Sequence, residues 1–268
     1  MKTFKLIIIV PLFILLGYFG IKAYHYAKAY ENSTAQIAKK SDASGLAQGK
    51  IDTLTTAISF GLIEDTSKIV LDKLKKEQKL NKRLSHKFLY YFMATLITLL
   101  LISLTCNLIV STLILAISSL ISLIFGLINP ILMVTIHKNV EHLGDVILSF
   151  ESKGLFGSIS KLFENNEYTV ASAILLFSVI IPLLKIFVLT FTIIFKEYKF
   201  SHNLITFFRH IGKWSMLDVF VVAILLVYLT SNSAEVSHAQ IQIGLYFFLT
   251  YVILSMITTI KVQKIIGA

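Results

Sequence analysis

Long apolar runs separated by polar stretches set the pattern of this chain. Lys2 and Lys5 precede an apolar run over residues 6–21, which reads as a signal peptide or an uncleaved signal anchor; the lack of a small-x-small cleavage site favours the anchor. Residues 88–136 contain no charged side chain. One spanning helix needs about 20 residues, so this run predicts two helices, over 88–107 and 111–136, with the turn between Cys106-Asn107 and Ser111-Thr112. Asn129-Pro130 falls inside the second, where proline frees a backbone carbonyl that neighbouring helices or polar side chains must satisfy. Three more runs, 168–195, 215–231 and 240–260, complete the count. The expected fold class is an all-α integral membrane protein of about six transmembrane helices.

The polar stretches divide the chain further. Residues 22–87 return to a soluble balance, with 13 Lys/Arg against 7 Asp/Glu. Within them Ser41 to Gly45 marks a turn, Ile51, Leu54, Ile58 and Leu62 share one helical face, and Gly61 weakens that helix. A second helical stretch, 67–83, carries Val70 and Leu74 on one side and Lys73, Lys75, Lys76, Lys79, Lys82 and Arg83 elsewhere. It reads as part of a solvated helix pair, or as a helix on anionic headgroups or a partner's docking surface. Residues 137–167 form a polar loop with Gly144, Gly154 and Gly157. The segments are therefore an anchor (1–22), an extracytoplasmic amphipathic segment (23–87), an extra spanning helix (88–110) and a four-helix membrane unit (111–268).

Orientation follows from lysine and arginine in the short loops. The 196–214 loop holds Lys196, Lys199, Arg209 and Lys213 against Glu197, and Lys261 and Lys264 follow the last run. Both belong in the cytoplasm, with the acidic 137–167 loop and the 232–239 loop outside and both termini cytoplasmic. The 22–87 segment falls outside despite its positive charge, because segments of that length translocate largely regardless of charge.

Composition narrows the function. The chain is 56% hydrophobic and 15% charged, with mean hydropathy +0.78, far from the roughly 25% charged residues of a soluble domain. Its net charge of +10 is not interleaved with aromatics on a soluble face, so no nucleic-acid partner is expected. Cys106 stands alone, and the closest histidines, His137 and His142, are five apart; neither pattern suits a metal site. Neither an HExxH motif, nor a nucleophile elbow, nor paired carboxylates within a span points to an enzyme.

Two charges lie where hydrocarbon is expected. Lys185 is inside the 168–195 run, and Asp218 is at the start of 215–231. Each costs about 2.5–3.5 kcal/mol on insertion scales, so such residues are rarely kept without a partner or a task. Ser178, Pro182 and Lys185 are spaced to share one stripe of an α-helix. Lys185 lies roughly 15 Å and Asp218 roughly 6 Å from the cytoplasmic side at 1.5 Å per residue, a gap that a lysine stem can partly bridge. Ser255, on the last run, is level with Asp218. The pair is either a structural tie between helices or a titrating element.

The strings Phe177-Ser178-Val-Ile-Ile-Pro182-Leu-Leu-Lys185 and Gly212-Lys213-Trp214-Ser215-Met216-Leu217-Asp218-Val219-Phe220, with Gly126-Leu-Ile-Asn129-Pro130-Ile131, resemble the paraquat-inducible protein A (PqiA/LetA-like) family of inner-membrane proteins over about residues 111–262. The resemblance implies a tetraspanin-like four-helix module with an elaborated extracytoplasmic loop. It also implies an inner-membrane location and a role beside MCE-domain proteins that carry phospholipid between membranes. The family's intramembrane polar network maps onto Ser178, Lys185 and Asp218; its last-helix member falls on Ser255, with Thr250 as the second choice. Asn129, Pro130, Pro182 and Trp214 fall at helix breaks and packing positions of the matched strings. Better-known members carry two modules and cysteine-rich zinc ribbons. This chain has one module and one cysteine, so neither zinc nor another cofactor is implied, and self-pairing as a homo-oligomer stays open. The implied function is loading or extracting lipid, coupled to the proton gradient through Lys185 and Asp218. The competing expectation is a membrane-protein chaperone or assembly subunit in which the charge pair is structural.

Overall fold

The computed structural model describes residues 2–41, 66–140, 144–194 and 237–266. Among these, five helices are long and apolar enough to cross a membrane: Ile7–Lys39, Ile69–Leu104, Leu108–Ile128, Tyr168–Phe191 and Ile243–Val262. The chain is a multi-pass helical membrane protein. The expected spans at 6–21, 88–107, 111–136, 168–195 and 240–260 each fall on one of these helices, with shifted ends. The run at 215–231 and the amphipathic stretch at 51–62 lie outside the described residues.

The first two helices are longer than a bilayer requires. α1 (Lys2–Ser41) has 40 residues and α2 (Thr66–Leu104) has 39, about 60 Å each at 1.5 Å per residue against a hydrocarbon core of about 30 Å. They run antiparallel, with Phe19 against Tyr91, Tyr26 stacked on Phe88, and Gln78 donating to Thr34. Their buried positions follow a heptad: Ala23, Ala27, Tyr30, Thr34 and Ile37 on α1, and Ser85, Leu89, Phe92, Leu96, Leu99 and Ser103 on α2. That three-four spacing is a coiled-coil seam, and it continues unbroken through residues 22 and 87. The basic stretch 67–83 is therefore continuous with the helix that carries the 88–104 span. Lys73, Lys75, Lys76 and Lys79 are exposed along this stalk.

After a turn at Thr105–Asn107, α3 (Leu108–Ile128) returns across the bundle. It stops earlier than the expected span 111–136. Pro130 disfavours a helical conformation in the residue before it, and Asn129 is extended, at φ −80° and ψ 151°. The helix ends there, and Pro130 opens a strand instead of kinking a helix. β1 (Pro130–Val140) pairs antiparallel with β2 (Gly144–Gly154) on one side and β3 (Ser237–Ile241) on the other. The expected 137–167 loop is thus largely structured: it contains most of this sheet and the short helix α4 (Leu155–Glu164). α5 (Tyr168–Leu175), a π-helical turn at Leu176–Ile180 and α6 (Ile181–Ile194) form the next span, and α7 (Ile243–Ile266) is the last.

The sheet and the stalk occupy the same end of the molecule. Lys82 Nζ donates to Gln240 Oε1 at 2.9 Å, and Tyr30 OH donates to the same oxygen at 3.4 Å. Below this junction, Phe92, Phe125 and Phe247 meet with centroids 4.8–6.1 Å apart, joining α2, α3 and α7. A second cluster ties α3, β1, α4, α6 and α7 through Leu123, Ile131, Ile159, Ile186 and Tyr251.

The backbone of α7 closely approaches that of α3 at one point and the Asn129–Pro130 junction between α3 and β1 at another. A Cβ on Gly126 would lie 2.9 Å from the Phe248 amide nitrogen, and one on Gly244 would lie 2.6 Å from the Pro130 carbonyl and 2.7 Å from that of Asn129. Gly157, on α4, has open space around it. Gly244→Ala should therefore lower stability by about 1–3 kcal/mol through overpacking, read as a lower Tm in nanodiscs, while Gly157→Ala should not. Equal melting points for the two variants would contradict the contact.

Candidate functional site

Pro182 lacks an N–H, so the carbonyl of Ser178, four residues earlier, loses its usual helical partner and meets the proline ring. The chain answers by widening one turn: Leu176–Ile180 is π-helical, and the Ile181 N–H bonds to the Leu176 carbonyl. π-bulges are rare and concentrate at functional positions. Ser178 lies in this turn and is buried. The simple α-helical stripe expected for Ser178, Pro182 and Lys185 is therefore interrupted between its first and second members, although Ser178 and Lys185 both remain inside.

Lys185 is 6% exposed. It shares its inward face with Ile186 and Leu189, whereas Leu184 and Phe187 point outward at 54% and 67%. Its level is set by a contact one turn further on, where Leu189, Val262 and Leu113 pack together. Counting back one turn from Leu189 and forward one turn from Leu113 puts Lys185 at the height of Ile117 and Ser118 of α3. The α3–α7 register follows from Gly126 against Phe248 at one end and Ser111 bonded to Lys261 at the other. Counting inward from both ends sets Ser255 opposite Ser118 and Ser119. Lys185, Ser118, Ser119 and Ser255 thus lie within about one helical turn of height, near 5 Å, on three neighbouring helices.

Ser255 is 1% exposed and its Oγ has no hydrogen-bond partner among the described residues. Thr250, the second choice for the last helix, bonds to the Tyr246 carbonyl and approaches Met93 of α2. It belongs to a different face of α7 from Ser255. Asn129 is fully buried; its amide donates to the Phe125 carbonyl at 2.7 Å while its Oδ1 stays without a partner among the described residues. Asp218 and Trp214 lie outside the described residues, and the Lys185–Asp218 pairing with them. Reading by charge and resemblance overlooked the hydroxyls of α3. Their signal was present as Ser118, Ser122 and Gly126 at four-residue spacing, the small-residue stripe of close membrane packing.

Replacing Pro182 by alanine restores the missing donor. Pro182→Ala should close the widened turn to a regular helix and change the phase of Ser178 relative to Lys185 by up to about 100°, one residue's rotation. Solid-state NMR backbone shifts over residues 176–181 check this; shifts unchanged from the parent protein would show that proline is not the cause.

Comparison with known proteins places the chain. The model of the family described as Paraquat-inducible protein A matches residues 109–265, more than half of the sequence and all but the end residues of the stretch from α3 to α7. A "Probable intermembrane transport protein" of Haemophilus influenzae (strain ATCC 51907 / DSM 11121 / KW20 / Rd) is 25% identical over 111 residues, which are 39% of this chain and 26% of that protein. The chain thus spans about a quarter of that relative. No solved structure matches it. From the family match over α3 to α7, this chain belongs to the paraquat-inducible protein A family.

Proposed function

We propose that this protein is the inner-membrane component of an intermembrane lipid transport system, working beside an MCE-domain partner to load or extract phospholipid. Family membership and the relative named for intermembrane transport support the transport role. The observation that carries the mechanistic part is Lys185, a buried amine on the inward face of a matched helix. Keeping a lysine there costs several kcal/mol without compensation.

Asp218, on the next apolar run, is its natural counter-charge. Paired, the two groups favour their charged forms; parted in hydrocarbon, both favour the neutral ones. A rearrangement that separates them makes the ammonium release a proton and the carboxylate take one up. The π turn at Leu176–Ile180 sits two turns from Lys185 on the same span and offers a place for such a rearrangement. The positive-inside count puts the sheet and the stalk on the extracytoplasmic side, where the stalk stands clear of the bilayer and presents its basic side chains to the periplasmic partner.

Asp218→Asn and Lys185→Met test this. Variants that insert at parental levels should lose most lipid transfer to the partner, measured with labelled phospholipid in reconstituted vesicles. Unchanged transfer would leave the pair a structural tie and remove the coupling role.

A further inference from the structure

A hydroxyl in a membrane helix has an easy partner in the carbonyl four residues back. Thr95, Thr98, Thr112, Thr258 and Thr259 all donate there. Ser118, Ser122 and Ser255 are each 1% exposed or less and do not; their Oγ atoms have no hydrogen-bond partner among the described residues. Ser119, beside Ser118, instead bonds to the Ala116 carbonyl. Close packing explains why these positions are small but not why they carry hydroxyls, since Gly126 serves the same stripe without one. Leaving buried hydroxyls unbonded is costly, and buried water characteristically satisfies such groups with two to four bonds.

The geometry points to a buried hydration site on the α3–α7 seam, where water held by Ser118, Ser122 and Ser255 lies at the level of Lys185. Ser122 is one turn from Ser118 toward the sheet, and the α3–α7 register sets it opposite Tyr251 and Val252. The site therefore runs along the seam from Tyr251 to the Lys185 layer. Its ligand is water, and its chemistry is proton passage: water bonded to these hydroxyls gives a proton leaving or reaching Lys185 a path along the seam instead of through hydrocarbon. The path's use in transport rests on the coupling proposed above; the water does not.

X-ray radiolytic labelling of the full chain in nanodiscs reads this directly, because hydroxyl radicals formed from bound water modify the side chains beside it. Tyr251 and Phe247 are both fully buried on α7, but Phe247 packs against Phe92 and Phe125 on the apolar side. Tyr251 should be labelled several-fold faster than Phe247. In Ser118→Ala/Ser122→Ala that excess should fall and Tm should drop, with Ser172→Ala, an exposed serine of α5 away from the seam, as the control that changes neither. Tyr251 labelled no faster than Phe247 overturns the site, as does a double variant that melts higher, since removing unbonded hydroxyls from a dry seam stabilises it. Should the double variant not fold, the labelling of the parent protein decides alone. Neither readout depends on lipid flux, so failure of the transport reading and failure of this one are distinguishable.

Discussion

The close approach of α3 and α7 is the constraint on which the rest depends. Two glycines allow it, Gly126 beneath the Phe248 backbone and Gly244 beneath the carbonyls of Asn129 and Pro130. Without a driving force from water, helices in lipid associate through packing of this kind. The contact at Gly244 also fixes where the chain leaves the bundle: β1 departs at Pro130, and β3 arrives two residues before Ile243, so the strands emerge together and pair. From the same register follow the heights of Ser118 and Ser255, and through Leu113 and Leu189 the height of Lys185. A residue's slip along this seam would separate the polar groups from one another and break the sheet's register at once.

Around that seam the protein collects costs that an apolar bundle avoids. A buried amine, serine hydroxyls and an Asn129 carbonyl oxygen without partners among the described residues, and a π turn all fall on α3, α6 and α7 or their junctions. The α1–α2 pair shows the opposite habit. Its seam is a regular heptad, and its buried hydroxyls at Ser85, Thr95 and Ser103 bond back to their own helices. The first two helices clasp the sheet through Gln240, while the buried side-chain polar atoms without a partner among the described residues all fall in the family-matched unit.

Charge and length carried much of this arrangement into the sequence. Lys185 was visible as an ionisable group inside an apolar run, and Asn129-Pro130 marked a break. The strand was missed because Ile131 to Ile136 extends an apolar run that α3 begins, and a short apolar segment has no periodicity to tell strand from helix; the proline before it was the discriminating clue. The 67–83 stretch was read as helical, but its continuity with the 88–107 span was missed for a related reason. A change from apolar to basic composition at residue 87 suggests a boundary, but the heptad of α2 passes through it, and helix continuity follows packing rather than polarity. Ser118 and Ser122 were hidden because serine in a membrane helix is ordinary; only their lack of a hydrogen-bond partner among the described residues, a property of the fold, distinguishes them. Ser178 and Lys185 were assigned correctly to one span, yet the phase between them depends on a π turn that spacing alone does not reveal.

We propose that the buried polar layer at Lys185 links lipid movement to protons. The most direct measurement is lipid transfer by the parent protein, reconstituted with an MCE-domain partner in vesicles, with and without an imposed proton gradient. The proposed coupling gives a transfer rate that rises with the gradient and falls back when an ionophore collapses it. A rate indifferent to both would contradict it.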